Sequence, residues 1–281
     1  SAPGLRGAAV DARLDGRGRL PDRERAVLVL AARGLSSSEI AAPRAPGPAP
    51  GPGARSWLHP GAARLAPAAG LRVVWARHHD EVRAAQRLRH AVFAVERGAR
   101  LSTPVPGHDI DLFDDYCEHL LVRAADTDQV IGTYRVLTPA QARRLGGTYT
   151  EQAFDLTRLR TLRPRMVELG RSCVHPAHRH GGVMLALWGA LGEFMARNQL
   201  DTMIGCASIP VMQGGVFHGD VAASLWRQVR ERHLAPIEWR VRPRLPLPLE
   251  HLDDSLSVEP PALIKGYLRL GTQVLGEPAW D

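Results

Sequence analysis

From Leu71 onward the hydrophobic positions fall into short alternating stretches broken by polar turns. Residues 72–76 read as a strand. Asp80 then offers a helix cap over 81–96, where Val82, Ala85, Leu88, Val92 and Val95 recur at helical spacing. Residues 119–123 and 130–137 flank the turn-like Ala125-Asp-Thr-Asp128, which predicts a hairpin. A further strand is expected over 166–174, a helix over about 182–198, and another strand over 202–209. In that helix Met184, Leu187, Trp188, Leu191 and Met195 should face the core, while Gly182, Ala186 and Gly189 form a stripe permitting close approach. Strand, helix, several strands, helix, strand implies a mixed α/β (α+β) sandwich, not a doubly wound sheet.

The first 70 residues look different. Residues 42–70 are mostly Ala, Pro, Gly and Arg, and bury too little side chain to offset the entropy of ordering, so a disordered linker is expected. Ahead of it, residues 20–41 predict a short helical fragment similar to the opening of a LuxR-type helix-turn-helix. The recognition helix needed to enter a major groove does not follow, so nucleic-acid binding is not expected. The expected division is an extension over 1–70 and a folded domain over 71–281.

Composition narrows the function classes. The 281 residues are 44% hydrophobic and 23% charged, ordinary for a globular chain. No apolar run reaches the length of a bilayer span; the run over 26–32 is too short for one and lacks a cleavage-like ending, so no signal peptide is expected. The net charge is +7, and Lys265 is the only lysine. An arginine-rich surface favours an acidic partner. Cys117, Cys173 and Cys206 form no CxxC pair, and an odd count without a leader points to a reducing compartment. The cytoplasm is the expected location.

The segment Val167-Glu-Leu-Gly-Arg-Ser-Cys-Val-His-Pro176 carries the chemistry. Regular alternation would put Glu168, Gly170 and Ser172 on one face of the strand, and Leu169, Arg171 and Cys173 on the other. A glutamate among apolar residues tends toward a raised pKa and suits a general base, although a structural Glu–Arg pair has the same spacing. The Gly-rich turn into the next helix presents free backbone N–H groups to a phosphate. His175, His178 and His180 lack a carboxylate or cysteine to complete a metal set, and no metal is expected.

With residues 204–210 and the ending 260–271 and 276–281, that segment and the Gly181-Gly182 turn resemble the L-ornithine N-alpha-acyltransferases, which open ornithine-lipid synthesis. The resemblance covers residue 71 to the end and implies a GNAT-like mixed sheet flanked by helices. More distantly the chain is similar to acyl-homoserine lactone synthases. Arg89 with Phe93, the pair Asp111 and Asp114, Arg135, and Glu168 with Arg171 match positions lining their acyl and amine site.

The resemblance implies transfer of a 3-hydroxyacyl group from acyl carrier protein to the α-amine of ornithine, with no tightly bound cofactor. On that reading Glu168, Arg171 and Ser172 are the catalytic residues. Cys173, Val174, His178, Arg179, His180, Gly181 and Gly182 hold the acyl-phosphopantetheine arm. Arg89, Phe93, Asp111, Asp114 and Arg135 bind substrate, with Asp115 a further candidate for the cationic side chain. Arg158, Arg160, Arg163, Arg165 and Arg179 are the candidate docking face for the acidic carrier, and a lipid product suggests peripheral contact with the inner membrane. A lactone synthase using S-adenosylmethionine is the rival, against which the motif Ile264-Lys-Gly-Tyr267 speaks. Membrane lysis finds no supporting amphipathic element. Such enzymes continue past a Gly-Glu-Pro-Ala segment into a final strand, so truncation at Asp281 is expected.

Overall fold

The computed structural model describes residues 25–33, 70–179, 182–213 and 216–280. Twelve strands follow in chain order: β1 (Arg25–Arg33), β2 (Leu71–Trp75), β3 (Glu118–Ala124), β4 (Val130–Leu137), β5 (Phe154–Asp155) and β6 (Met166–Val174). Then come β7 (Thr202–Pro210), β8 (Met212–Gln213), β9 (Val216–Phe217), β10 (Arg242–Pro243), β11 (Gln273–Val274) and β12 (Ala279–Trp280). The α-helices are α1 (His79–His90), α2 (Pro139–Leu145), α3 (Gly182–Arg197), α4 (Gly219–His233) and α5 (Ala262–Arg269). Eight strands form one sheet in the order β11-β1-β7-β6-β4-β3-β2, with β12 also on β1; β5 pairs β10 and β8 pairs β9. Only the β6–β7 pairing in the large sheet is parallel.

The expected mixed sheet flanked by helices is what forms, and β4 and β6 run over the expected residues. One face packs on α3 through Leu120, Ile131, Val136, Val167, Leu187 and Leu191. Gly132 in β4 makes that contact possible, because a Cβ there would collide with Val183 of α3. The opposite face packs on α1 through Ala85, Leu88, Leu121 and Cys173.

Two expectations need correction. Within the anticipated helical fragment, residues 25–33 are a strand paired along its whole length with β7. The remainder of that fragment, and nearly all of the anticipated linker, lie outside the described residues. A short apolar run reads equally as a helix or as a strand covered on both sides. Here both sides are covered: Leu28 and Leu30 pack against α4 and α5, while Val29 packs against Phe154, Ile204 and Leu275. The large sheet therefore begins at Arg25 and not at Leu71.

The helix expected over 81–96 is two pieces. It starts at His79, with Glu81 accepting from the N–H groups of Arg77 (2.7 Å) and His78 (3.2 Å), and changes to a π-helix at Ala91–Glu96. The wider turn bonds Arg97 N–H to the Val92 carbonyl at 3.2 Å and shifts the helical phase. Val92 stays buried, whereas Val95, expected in the core, is 74% exposed.

Candidate active site

β6 and β7 pair only from Met166↔Thr202 to Leu169↔Gly205. Beyond that point β6 stays with β4 and β7 stays with β1, so a wedge opens between them. Gly205 stands at the split, where a Cβ would lie 2.7 Å from the Leu169 carbonyl oxygen. The wedge leads into a cavity of about 500 Å³ walled on one side by Gly170 to Val174 and on the other by Cys206 to Ser208. Met184 and Trp188 of α3 and Ile264 and Tyr267 of α5 line its apolar part.

The pairing of β4 with β6 slips in this region, Thr133 facing Cys173 but Arg135 facing Gly170. Two residues of β6, Arg171 and Ser172, thus oppose the single Tyr134 of β4, which is a β-bulge, and Arg171 adopts φ 51° within it. A non-glycine residue in the left-handed region costs roughly 1–3 kcal/mol. The bulge undoes the expected alternation. Arg171 turns to the face of Glu168 and reaches Asp109 (3.3 Å) and Asp111 (3.2 Å). Ser172 turns to the α3 face beside Tyr134. Gly170, where a Cβ would touch nothing within 4 Å, keeps the cavity open between them. Gly170→Leu is expected to lower donor kcat/KM by about 10²-fold with little change in Tm, as checked by steady-state kinetics and thermal unfolding.

Glu168 is 6% exposed and lines the cavity. Its Oε1 accepts from the backbone N–H (2.6 Å) and hydroxyl of Thr150, and its Oε2 from the Tyr149 N–H (2.7 Å). Burial raises its pKa, against the pull of the Thr150 and Tyr149 bonds and the Arg135 charge. Each carboxylate oxygen accepts two hydrogen bonds, so Oε2 retains one site. Cys173 and Cys117 also line the cavity, and burial pushes each thiol up to about 12. Both stay protonated near neutrality, which disfavours either as a nucleophile.

The other anticipated residues separate into groups. Arg89 is wholly buried, binding Asp114 at 2.7 and 2.9 Å and Asp109 at 2.9 Å. Neither Arg89 nor Asp114 is in the cavity wall. Arg135 joins them to the site, bonding Asp111 at 2.5 Å and Asp114 at 3.2 Å while itself lining the cavity. Three arginines and three aspartates thus form one neutral network, with Arg135 and Arg171 as its cavity-facing members. Phe93 lines the cavity from the π-helix.

His178, Arg179 and Val174 line the cavity. Arg179 makes a forked pair with Glu96, both bonds 2.6 Å, and also donates to the Val174 carbonyl at 3.1 Å. Gly182 opens α3, while His180 and Gly181 lie outside the described residues. On the proposed docking face Arg163 pairs with Glu151, Arg165 with Asp201, and Arg158 with the Ile237 carbonyl; Arg160 is exposed.

Over 223 residues the chain is 39% identical to the L-ornithine N(alpha)-acyltransferase of Rhodobacter capsulatus, covering 73% of this chain and 82% of that protein. The chain belongs to the L-ornithine N(alpha)-acyltransferase family. The family member of Brucella abortus is 36% identical over 225 residues, covering 73% of this chain and 77% of that protein. Residues 88–189 match the acetyltransferase (GNAT) domain family. Among solved structures, the AHL synthase LasI is 19% identical over 48% of this chain and 71% of that chain, with a TM-score of 0.37.

Further residues surround the cavity of this N-acyltransferase. Tyr149 and Thr150 fix the Glu168 carboxylate, and the Tyr149 ring lies 5.5 Å from the Arg171 guanidinium. Leu30 and Ala32 reach the cavity from β1. Tyr134 Oη, Ser172 Oγ and Trp188 Nε1 are buried on the α3 side with no hydrogen-bond partner among the described residues. The three are neighbours: burial raises the Tyr134 phenol to about 12 while Ser172 and Trp188 pull it down. Ser172 stands in the β6 motif, but nothing local ties it to Tyr134 and Trp188, because tertiary packing alone brings the three together.

Proposed function

We propose that the enzyme transfers a 3-hydroxyacyl chain from acyl carrier protein to the α-amine of ornithine, giving lyso-ornithine lipid. The observation that carries this reading is the buried Glu168 carboxylate in the wall of an apolar cavity entered through the β6–β7 wedge. An ammonium group cannot attack a thioester, so one proton must leave first; Glu168 Oε2 accepts it, directly or through a water. The amine nitrogen then bonds to the thioester carbonyl carbon. The resulting oxyanion takes hydrogen bonds from backbone N–H groups over Arg171 to Val174. Collapse breaks the carbon–sulfur bond, the second amine proton goes to the departing sulfur, and the amide remains.

The unpaired strand edges of the wedge suit the amides of a pantetheine arm, which would add to the sheet as a strand does. The forked Glu96–Arg179 pair stands where the phosphate would arrive, and the arm's phosphate would compete for Arg179. Arg135 and Arg171, facing the cavity, are the groups for the amino acid's carboxylate, and Asp111 beside them is the group for its cationic chain. An acidic carrier docks on the arginines before β6, and the reaction belongs in the cytoplasm with peripheral contact at the inner membrane. No helix among the described residues is long and apolar enough to cross a membrane.

Tyr134, Ser172 and Trp188 support the 3-hydroxyl. A plain alkyl chain would offer these three polar atoms nothing beyond one another, whereas a hydroxyl near the carbonyl gives them a further partner. Tyr134→Phe is expected to reduce the kcat/KM preference for the hydroxylated donor over the unsubstituted one by about ten-fold, measured with matched carriers. Function itself is tested by incubating the full chain with 3-hydroxyacyl carrier protein and a panel of amino acids, with mass spectrometry of the amide. Ornithine α-amide is expected; amide on a different amino acid, or none, overturns the reading.

A further inference from the structure

Leu30 and Ala32 are the cavity-lining residues of β1, a strand far from the rest of the wall in sequence. In sheet order β1 follows β7, which follows β6, so β1 stands two strand spacings, about 10 Å, from the strand that carries Glu168 and Arg171. Leu30 is opposite Gly205 and Ala32 opposite Met203. Met203, Gly205 and Ala207 of β7 line the same cavity as Leu30 and Ala32, so the space crosses β7 and reaches β1. Leu30 is 5% exposed, packed with Ile264 and paired with Val274 of β11, which makes it a fixed boundary. Trp188 and Tyr267, with ring centroids 5.7 Å apart, line the cavity from the helical side, and Gly266 lets α5 settle against the Trp188 ring.

We propose that β1, backed by Leu270 and Thr272 beside it, closes the far end of the acyl site and that Leu30 and Ala32 set the longest chain accepted. The proposal rests on the acyltransferase reading of the cavity. The terminal carbons of the chain meet side chains from the N-terminal strand, while its carbonyl stays at the wedge. Neither wall residue is charged and both are small enough to be exchanged, so the cutoff is adjustable in both directions.

The test uses the full chain and saturated fatty acids of eight to eighteen carbons, displacing a fluorescent fatty acid at equilibrium, alongside product profiles from carriers bearing the same chains. Ala32→Phe is expected to weaken the longest chains about ten-fold or more relative to the short ones. Leu30→Ala is expected to move the cutoff toward longer chains, which keeps the proposal testable if the larger residue impairs folding. An unchanged cutoff in folded Leu30→Ala, or no binding of any chain, overturns the proposal. A cutoff that moves in the binding assay while ornithine goes unacylated supports the wall and sinks the proposed acceptor instead.

Discussion

Glu168→Gln is expected to lower kcat for amide formation by about 10²–10⁴-fold while leaving the affinity for the acyl carrier protein within a few-fold. Glutamine keeps the shape of the side chain but cannot take a proton from the ammonium group. It also accepts through one oxygen where the carboxylate uses two, so one of the donors at Tyr149 and Thr150 loses its partner. The pH dependence separates the two effects. Burial raises the Glu168 carboxyl, so its basic form appears at a higher pH than for a solvated glutamate. In the wild type kcat should climb as pH rises through that raised value, and this limb should vanish in the variant. Steady-state kinetics across pH checks it. A variant that retains both the rate and the limb removes Glu168 from the mechanism.

The second large effect falls on stability. Asp114→Asn is expected to cost about 3–5 kcal/mol, because it leaves Arg89 buried with a single compensating carboxylate and takes one from Arg135. Burial on its own would raise the Asp114 carboxyl, but the bonds and charge of Arg89 and the charge of Arg135 outweigh it and hold it well below the usual carboxylate range. A depressed value stabilises the fold above the ordinary carboxylate pKa, and that contribution disappears as pH falls through the depressed one. The difference in Tm between wild type and variant should therefore be full near neutrality and shrink in strong acid. Asp115→Asn is the control: Asp115 is exposed one position away, and the change should stay within about 0.5 kcal/mol.

What the sequence disclosed and what it hid have physical causes. β4 and β6 announce themselves because buried strands of eight or nine residues leave a run of apolar positions, and α3 because its apolar residues recur at helical spacing. β1 reads as a helix because nine largely apolar residues carry no periodicity that separates a helix from a strand, and its partners lie about 175 residues further along the chain. The reactive strand was found, but not the directions of its side chains. A single inserted residue with positive φ at Arg171 exchanges the faces of Arg171 and Ser172. The network around Arg89 was visible as a set of charges. Which of them face the cavity depends on depth, a property of the folded chain alone.

The most direct test of the central claim is a crystal structure with ornithine and a non-hydrolysable acyl-pantetheine analogue. The account predicts the analogue's carbonyl in the β6–β7 wedge and the α-amine nitrogen within about 2.6–3.2 Å of Glu168 Oε2, or one water away. An amine bound on the α3 face, with the sheet between it and the carboxylate, would contradict it.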